Sequence, residues 1–134
     1  MKKNDFVILI DDSDIDNFIN YKIIELCSVT NILVFNKASE AIAFLKKNTI
    51  PPTIIFIDLH MPLINGDDFI KEYRKLEISK YSTNIFILSA SINPDDKKLA
   101  EKRKIEFIEK PLTREKMEKL LEYTHNLISI KCHY

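Results

Sequence analysis

Thr53-Ile54-Ile55-Phe56-Ile57-Asp58 is the stretch on which the fold turns. A run of large apolar residues, three of them isoleucine, stops at a carboxylate. A strand with one wet face alternates polar and apolar residues, whereas a continuous run fits a strand covered on both faces of a parallel sheet. Working outward, Phe6-Val7-Ile8-Leu9-Ile10 repeats the pattern and also ends in acid, Asp11-Asp12. Ile32–Phe35, Ile85–Leu88 and Ile105–Ile108 are further short apolar runs with strand character.

Between these runs the spacing changes from continuous to helical. Ile15, Phe18, Ile19 and Ile23 recur at three and four residues, with Asp16, Asn17 and Asn20 on the other side. Ala41, Ile42 and Leu45 form a second stripe, and Phe69, Ile70, Tyr73 and Leu76 a third. Asn93-Pro94-Asp95-Asp96 reads as a helix start, with a cap, a first-turn proline and two acids near the positive helix end. The apolar face of that fourth helix is thin, mainly Leu99 and Ala100. A fifth helix begins near Thr113 and carries Met117, Leu120, Leu121, Thr124 and Leu127. Strand and helix alternate five times. That order implies an α/β protein in which a parallel five-stranded sheet lies between two helical layers; in a doubly wound sheet ordered 2-1-3-4-5, the strand order reverses between strands one and three.

Composition narrows the function. Lys+Arg and Asp+Glu both number 20, so no net charge draws the chain to nucleic acid or an anionic membrane. Lys102-Arg103-Lys104 is the densest basic run and reads as a solvated helix end. No apolar run approaches the ~20 residues of a membrane span, and the five apolar residues Phe6–Ile10 make too short a core for a signal peptide. The two cysteines, Cys27 and Cys132, read as reduced cytoplasmic thiols. Gly66 is the only glycine, which excludes GxGxxG and GxxxxGK[ST] nucleotide loops. Lys131, Cys132 and His133 are too short a cluster to claim a metal, and His125 and His133 read as surface residues.

The chemistry gathers where the strands end. In an open parallel sheet all strand C-termini share one edge, and ligands bind there, where the strand order reverses. Asp11-Asp12, Asp58, Ser89 and Lys110-Pro111 all fall at that edge. Three carboxylates brought together repel, so one takes a proton or a cation binds among them. An all-oxygen site with room for water suits Mg²⁺. Asp58 can then act as a nucleophile toward phosphorus, with Mg²⁺ and Lys110 neutralising phosphoryl oxygens and Ser89 offering a hydroxyl.

Four segments in order carry a family resemblance: Ile8–Asp12, Asp58–Gly66, Ile87–Ala90 and Phe107–Pro111. Together they resemble the receiver domain of two-component response regulators, which has the flavodoxin-like fold, and the likeness covers essentially the whole chain. The resemblance implies one receiver domain over residues 1–134 with no output domain, and therefore no direct DNA binding. It implies a phosphoacceptor switch rather than an enzyme acting on other substrates. By it Asp58 is the phosphoacceptor, Asp12 a direct Mg²⁺ ligand, Asp11 a ligand partly through water, and the backbone carbonyl of His60 the remaining protein ligand. Ser89 and Phe107 match the switch pair, Lys110 the phosphate-binding lysine, and the bond before Pro111 is one the family often has in cis. Gly66 fits the loop glycine, through positive φ or close approach. His60 and Ser91 fall where the family tunes dephosphorylation. The implied partners are a sensor histidine kinase or phosphotransfer protein and a downstream protein read at the surface of the fourth helix, fifth strand and fifth helix.

Two departures stand out. Lys104 occupies a turn where the family has a Gly-Ala type sequence, and the switch aromatic is phenylalanine rather than tyrosine. Competing readings are weaker. A calcium loop starting at Asp12 lacks its glycine at Asn17 and its glutamate at Ile23. A dehalogenase-like phosphatase lacks the required Thr or Val after Asp14-Ile15. Asp14 and Asp16 read as first-turn acids favoured by the helix dipole. The alternative function is a degenerate receiver that binds partners without phosphorylation; such a site would not respond to Mg²⁺.

Overall fold

A computed structural model describes residues 5–81, 83–90 and 93–132, without the side chains of 127–132. Ser91, His133 and the side chains of Leu127 and Cys132 lie outside the described residues. The elements run β1 (Phe6–Ile10), α1 (Asp14–Leu26), β2 (Asn31–Phe35), α2 (Ala38–Lys47), β3 (Ile54–Ile57), α3 (Gly66–Tyr73), β4 (Asn84–Ser89), α4 (Pro94–Arg103), β5 (Glu106–Glu109) and α5 (Arg114–Cys132). A 3-10 turn, Glu77–Lys80, precedes β4. The five strands are all parallel, in the order β2-β1-β3-β4-β5. The parallel sheet is the one the alternating pattern implies, and its doubly wound, flavodoxin-like order is the one the receiver resemblance implies.

The alternation of side chains along a strand divides the interior in two. Ile8, Ile10, Ile55, Ile57 and Ile87 pack with Ala41 and Leu45 of α2, Phe69 and Ile70 of α3 and Ala100 of α4. Val7, Leu9, Phe56, Phe86 and Leu88 pack with Ile24 of α1 and Met117, Leu120 and Leu121 of α5. Every residue of β1 and β3 is buried, which is why both read as unbroken apolar runs.

Helix α1 turns most of the stripe in its sequence outward, and only Ile23 of the four packs against the core. Ile15, Phe18 and Ile19 are 73%, 53% and 50% exposed, while Asn17 and Asn20 are buried beside Ile24. The stripe marks a helix but not its inner face. The cause is local: the Asn17 side-chain amide donates to the main-chain oxygen of Asp11 at 2.7 Å, which locks the asparagine side of the helix against the end of β1. His125 also differs from expectation. It is not a free surface residue, because its Nε2 lies 2.9 Å from Oδ2 of buried Asp5, tying α5 to the start of β1.

The turn after α4 closes without glycine. Lys104 sits at φ 59, ψ 44, and the next amide, Ile105, reaches back to the Ala100 oxygen at 2.9 Å. This left-handed helix stop favours glycine, since a Cβ crowds the following carbonyl. Lys104→Gly is therefore expected to stabilise the fold by about 0.5–1 kcal/mol and raise the melting temperature by roughly 4 °C. A thermal melt checks it; a lower midpoint would show that Lys104 makes a contribution larger than its strain.

Candidate functional site

Strand register builds the site. Ile10 of β1 pairs with Ile57 of β3, so the next residues, Asp11 and Asp58, leave adjacent strands at the same level. The Asp58 amide donates to the Ile10 oxygen at 3.1 Å and keeps the two strand ends together. On the other side, Ser89 pairs with Glu109 of β5, and the Lys110 amide donates to the Ser89 oxygen at 2.9 Å. Lys110 thus leaves β5 at the edge where the acids stand, and its bond to Pro111 is cis.

The Lys110 ammonium reaches three carboxylates. Its Nζ lies 2.6 Å from Asp11 Oδ2, 2.8 Å from Asp16 Oδ2 and 3.2 Å from Asp58 Oδ2. Burial alone would push the ammonium pKa down, but hydrogen bonds to Asp11 and Asp16 and the charge of Asp58 hold it well above the usual lysine range. Asp11 is raised, chiefly by burial, against the lowering effect of Lys110 and the Ser13 amide. Asp12 is exposed. One oxygen from each of Asp11, Asp12 and Asp58 lies within 4.8 Å of the others. Among the described residues Lys110 is the one cation in ion-pair contact with Asp11, Asp16 and Asp58, and Asp12 adds a further acid beside them, an imbalance that a divalent cation would relieve.

Asp16 belongs to this cluster and was missed in the sequence. As a first-turn acid of α1 it had a sufficient explanation in the helix dipole. The available signal was its distance of one helical turn beyond Asp12, on a helix that starts at the acidic strand end.

Gly66 is required by close approach, not by backbone angle, because no glycine has positive φ. A Cβ there would stand 2.5 Å from the Asp58 oxygen and 2.8 Å from Leu59 Cα. The first turn of α3 therefore lies directly against the main chain of Asp58. The Asn65 side chain caps that turn by accepting from the Asp68 amide at 2.9 Å.

The response regulator receiver domain family matches residues 7–122. The chain belongs to this family. Among solved structures, a two-component response regulator from Cytophaga hutchinsonii is 33% identical with a TM-score of 0.82, covering 93% of this chain and 99% of its own. A response regulator receiver protein from Dyadobacter fermentans is 30% identical with a TM-score of 0.78, covering 89% and 96%. The chemotaxis response regulator CheY4 of Vibrio cholerae, at 22% identity, shares the fold with a TM-score of 0.75 over 90% and 98%. No curated protein matches. A receiver domain implies phosphorelay signalling and interaction with kinases or phosphotransfer proteins. Among the described residues no helix is long and apolar enough to cross a membrane.

The remaining receiver positions fall around this cluster. Ser89 is buried at the end of β4. Phe107 is half-buried and pairs with Ile87, two residues before Ser89 on the same strand, so both side chains issue on the face covered by α3 and α4. His60 follows β3; its amide donates to Asp58 Oδ1 at 3.1 Å, and its ring Nε2 lies 2.7 Å from Oδ2 of Asp96 on α4. Asp96 is buried, which explains the thin apolar face of α4: part of that inner face is a carboxylate held by the receiver's own loop.

The Asp96 hydrogen bond raises the His60 pKa above 6.5, outweighing slight desolvation. For a base whose folded pKa is raised, the stabilisation is complete below the unfolded value and disappears as pH rises through the folded one. This contact therefore adds stability below pH 6.5 and loses it above the raised value. Titration of the ring by NMR is expected to show an elevated pKa that returns toward 6.5 in Asp96→Asn; equal values in both proteins would dissolve the link.

Proposed function

We propose that this receiver accepts a phosphoryl group from a histidine kinase or phosphotransfer protein onto Asp58, and that the adduct changes affinity for a downstream protein at the α4-β5-α5 surface. One observation carries the reading: the Lys110 ammonium sits among Asp11, Asp16 and Asp58, leaving the cluster short of positive charge. A set of oxygen donors with that deficit fits Mg²⁺, held by Asp11, Asp12, Asp58 and the main-chain carbonyl of His60. When bound, Mg²⁺ neutralises phosphoryl oxygens.

The protein's own groups do the rest. A carboxylate oxygen of Asp58 attacks phosphorus, forming an O–P bond. The P–N bond of a phosphohistidine donor breaks, and its electron pair stays on nitrogen. Lys110 gives up a carboxylate contact and holds a phosphoryl oxygen, while Ser89 donates its hydroxyl to another. Movement of Ser89 opens space that Phe107 fills, a coupling worth about 1–3 kcal/mol. Its hydroxyl-free ring makes Phe107 a packing switch rather than a hydrogen-bonding one.

The outward faces support a protein donor. Ile15, Phe18 and Ile19 are exposed on the helix whose first turn bonds Lys110. Leu63, in the loop after β3, is 98% exposed and held at φ 69. A leucine in that strained region costs about 1–2 kcal/mol and packs nothing inside the fold, so these residues form the seat of the phosphodonor. Phe18→Ala is expected to slow transfer from a phosphotransfer protein about 10-fold, leaving the rate with acetyl phosphate unchanged; parallel slowing with both donors would remove the seat from α1.

The direct test is incubation with Mg²⁺ and acetyl phosphate followed by intact mass. One phosphoryl adduct is expected, abolished by a chelator. No adduct, together with unchanged NMR spectra on adding Mg²⁺, would favour a receiver that works without phosphorylation.

A further inference from the structure

The chain has no net charge, and its sequence shows no long basic run, yet the fold assembles one. A groove of about 910 Å³ runs between α2 and α3. Its rim gathers Lys46 and Lys47 from α2, Lys71 from α3, Arg74 and Lys75 from the turn after it and Arg103 from the end of α4, against only Asp68 and Glu72 in its lining. Part of this charge is already matched. Arg103 and Lys71 share Asp67, and Lys75 pairs with Glu72 at 3.0 Å. The rest is not. Among the described residues Lys46 and Lys47 have no carboxylate partner, and the Arg74 guanidinium donates to a neutral acceptor, the Arg103 main-chain oxygen, at 2.8 Å.

The floor is apolar. Ala43 is exposed, Ile64 is half-buried, and Ile42 closes the base. The aliphatic stems of the lysines extend this surface. Arg103 was expected to be a solvated helix end, but its side chain is 21% exposed and its double contact to Asp67 fixes one wall of the groove.

We infer that the α2–α3 groove is a docking surface for an acidic amphipathic helix of a partner protein. A strip between two helices is the natural seat of a third, and α2, with ten residues, offers about 15 Å of length, enough for nearly three turns. The apolar floor takes the hydrophobic stripe of such a helix, and the uncompensated cations meet its acids. A nucleic acid backbone would meet two acids and an apolar floor in place of further donors, which disfavours it. The inference rests on none of the phosphoryl chemistry; the groove lies apart from the α1 face and meets the α4-β5-α5 surface only at Arg103, the last residue of α4.

The probe is a synthetic, end-blocked helix of about 14 residues with leucines spaced three and four apart and glutamate elsewhere, added to ¹⁵N-labelled protein. Amide shifts are expected in α2 and α3, with binding weakened about 10-fold by the double change Lys46→Glu and Lys47→Glu. Ala43→Glu, a second exposed position, is expected to do the same through the floor, and circular dichroism confirms that both variants fold. Phosphorylation of Asp58 by acetyl phosphate should be unaltered in either, so this outcome stands apart from the proposed function. The inference is overturned if a scrambled peptide of equal composition binds as well, if the shifts fall on other helices, or if duplex DNA or phosphatidylglycerol vesicles move the same amides as strongly.

Discussion

Lys110→Ala is expected to lower stability by about 3 kcal/mol in Mg²⁺-free buffer and to slow phosphorylation from acetyl phosphate about 10²-fold. Both effects follow from one placement. The ammonium is only 11% exposed and is the shared partner of Asp11, Asp16 and Asp58. Removing it leaves like charges facing one another at the end of a buried sheet, where breaking an ion pair costs more than the pair was worth. The loss has a signature that a simple packing defect lacks. Without the competing ammonium the acids bind a divalent cation more tightly, so Mg²⁺ should stabilise the variant more than the wild type. A ligand at 100 times its Kd contributes about 2.7 kcal/mol. Denaturant titrations of both proteins with and without Mg²⁺ measure this. Equal Mg²⁺ effects, or an unchanged phosphorylation rate, would mean that Lys110 only fills space.

Gly66→Ala is expected to cost about 1–3 kcal/mol or more and to slow phosphorylation strongly even in the fraction that folds. The added methyl would meet the Asp58 oxygen at 2.5 Å and Leu59 Cα at 2.8 Å. Both are backbone atoms and cannot swing aside like a flexible side chain. Relief must come from moving the first turn of α3 or the end of β3, and the second displaces the nucleophile from Lys110. A displacement near 1 Å at a reacting group can cost about 10²-fold in rate. A variant with wild-type stability and rate would show that the loop adapts freely and that the glycine has no role in placing Asp58.

The sheet was legible in the sequence because of its burial. Strands covered on both sides carry no alternation, and β1 and β3 are covered throughout, so both stood out as unbroken apolar runs ending in acid. The level of Asp11 with Asp58 then follows from parallel register alone. Edge strand β5 was harder to bound, with Glu106 and Glu109 exposed at its ends.

What stayed hidden depends on side chains that meet across the fold. Asp16 turns to Lys110, 94 residues away, and no period in the sequence records such a meeting. The same holds for His60 with Asp96 and His125 with Asp5. Helix α1 shows a different limit. Its hydrophobic stripe has the spacing of an inward face, but Asn17 fixes the opposite side against β1 and leaves Ile15, Phe18 and Ile19 outside. A periodic stripe says that a helix has an apolar face. It does not say whether its own sheet or another molecule covers that face.

The central claim is that Asp58 is the group that receives phosphorus. Borohydride reduction of an acyl phosphate converts the aspartate to homoserine, and peptide sequencing by mass spectrometry then reads its position. After treatment with Mg²⁺ and acetyl phosphate, the account predicts homoserine at position 58 and no adduct at all on Asp58→Asn. Homoserine at another aspartate, or an adduct of equal yield on Asp58→Asn, would contradict it.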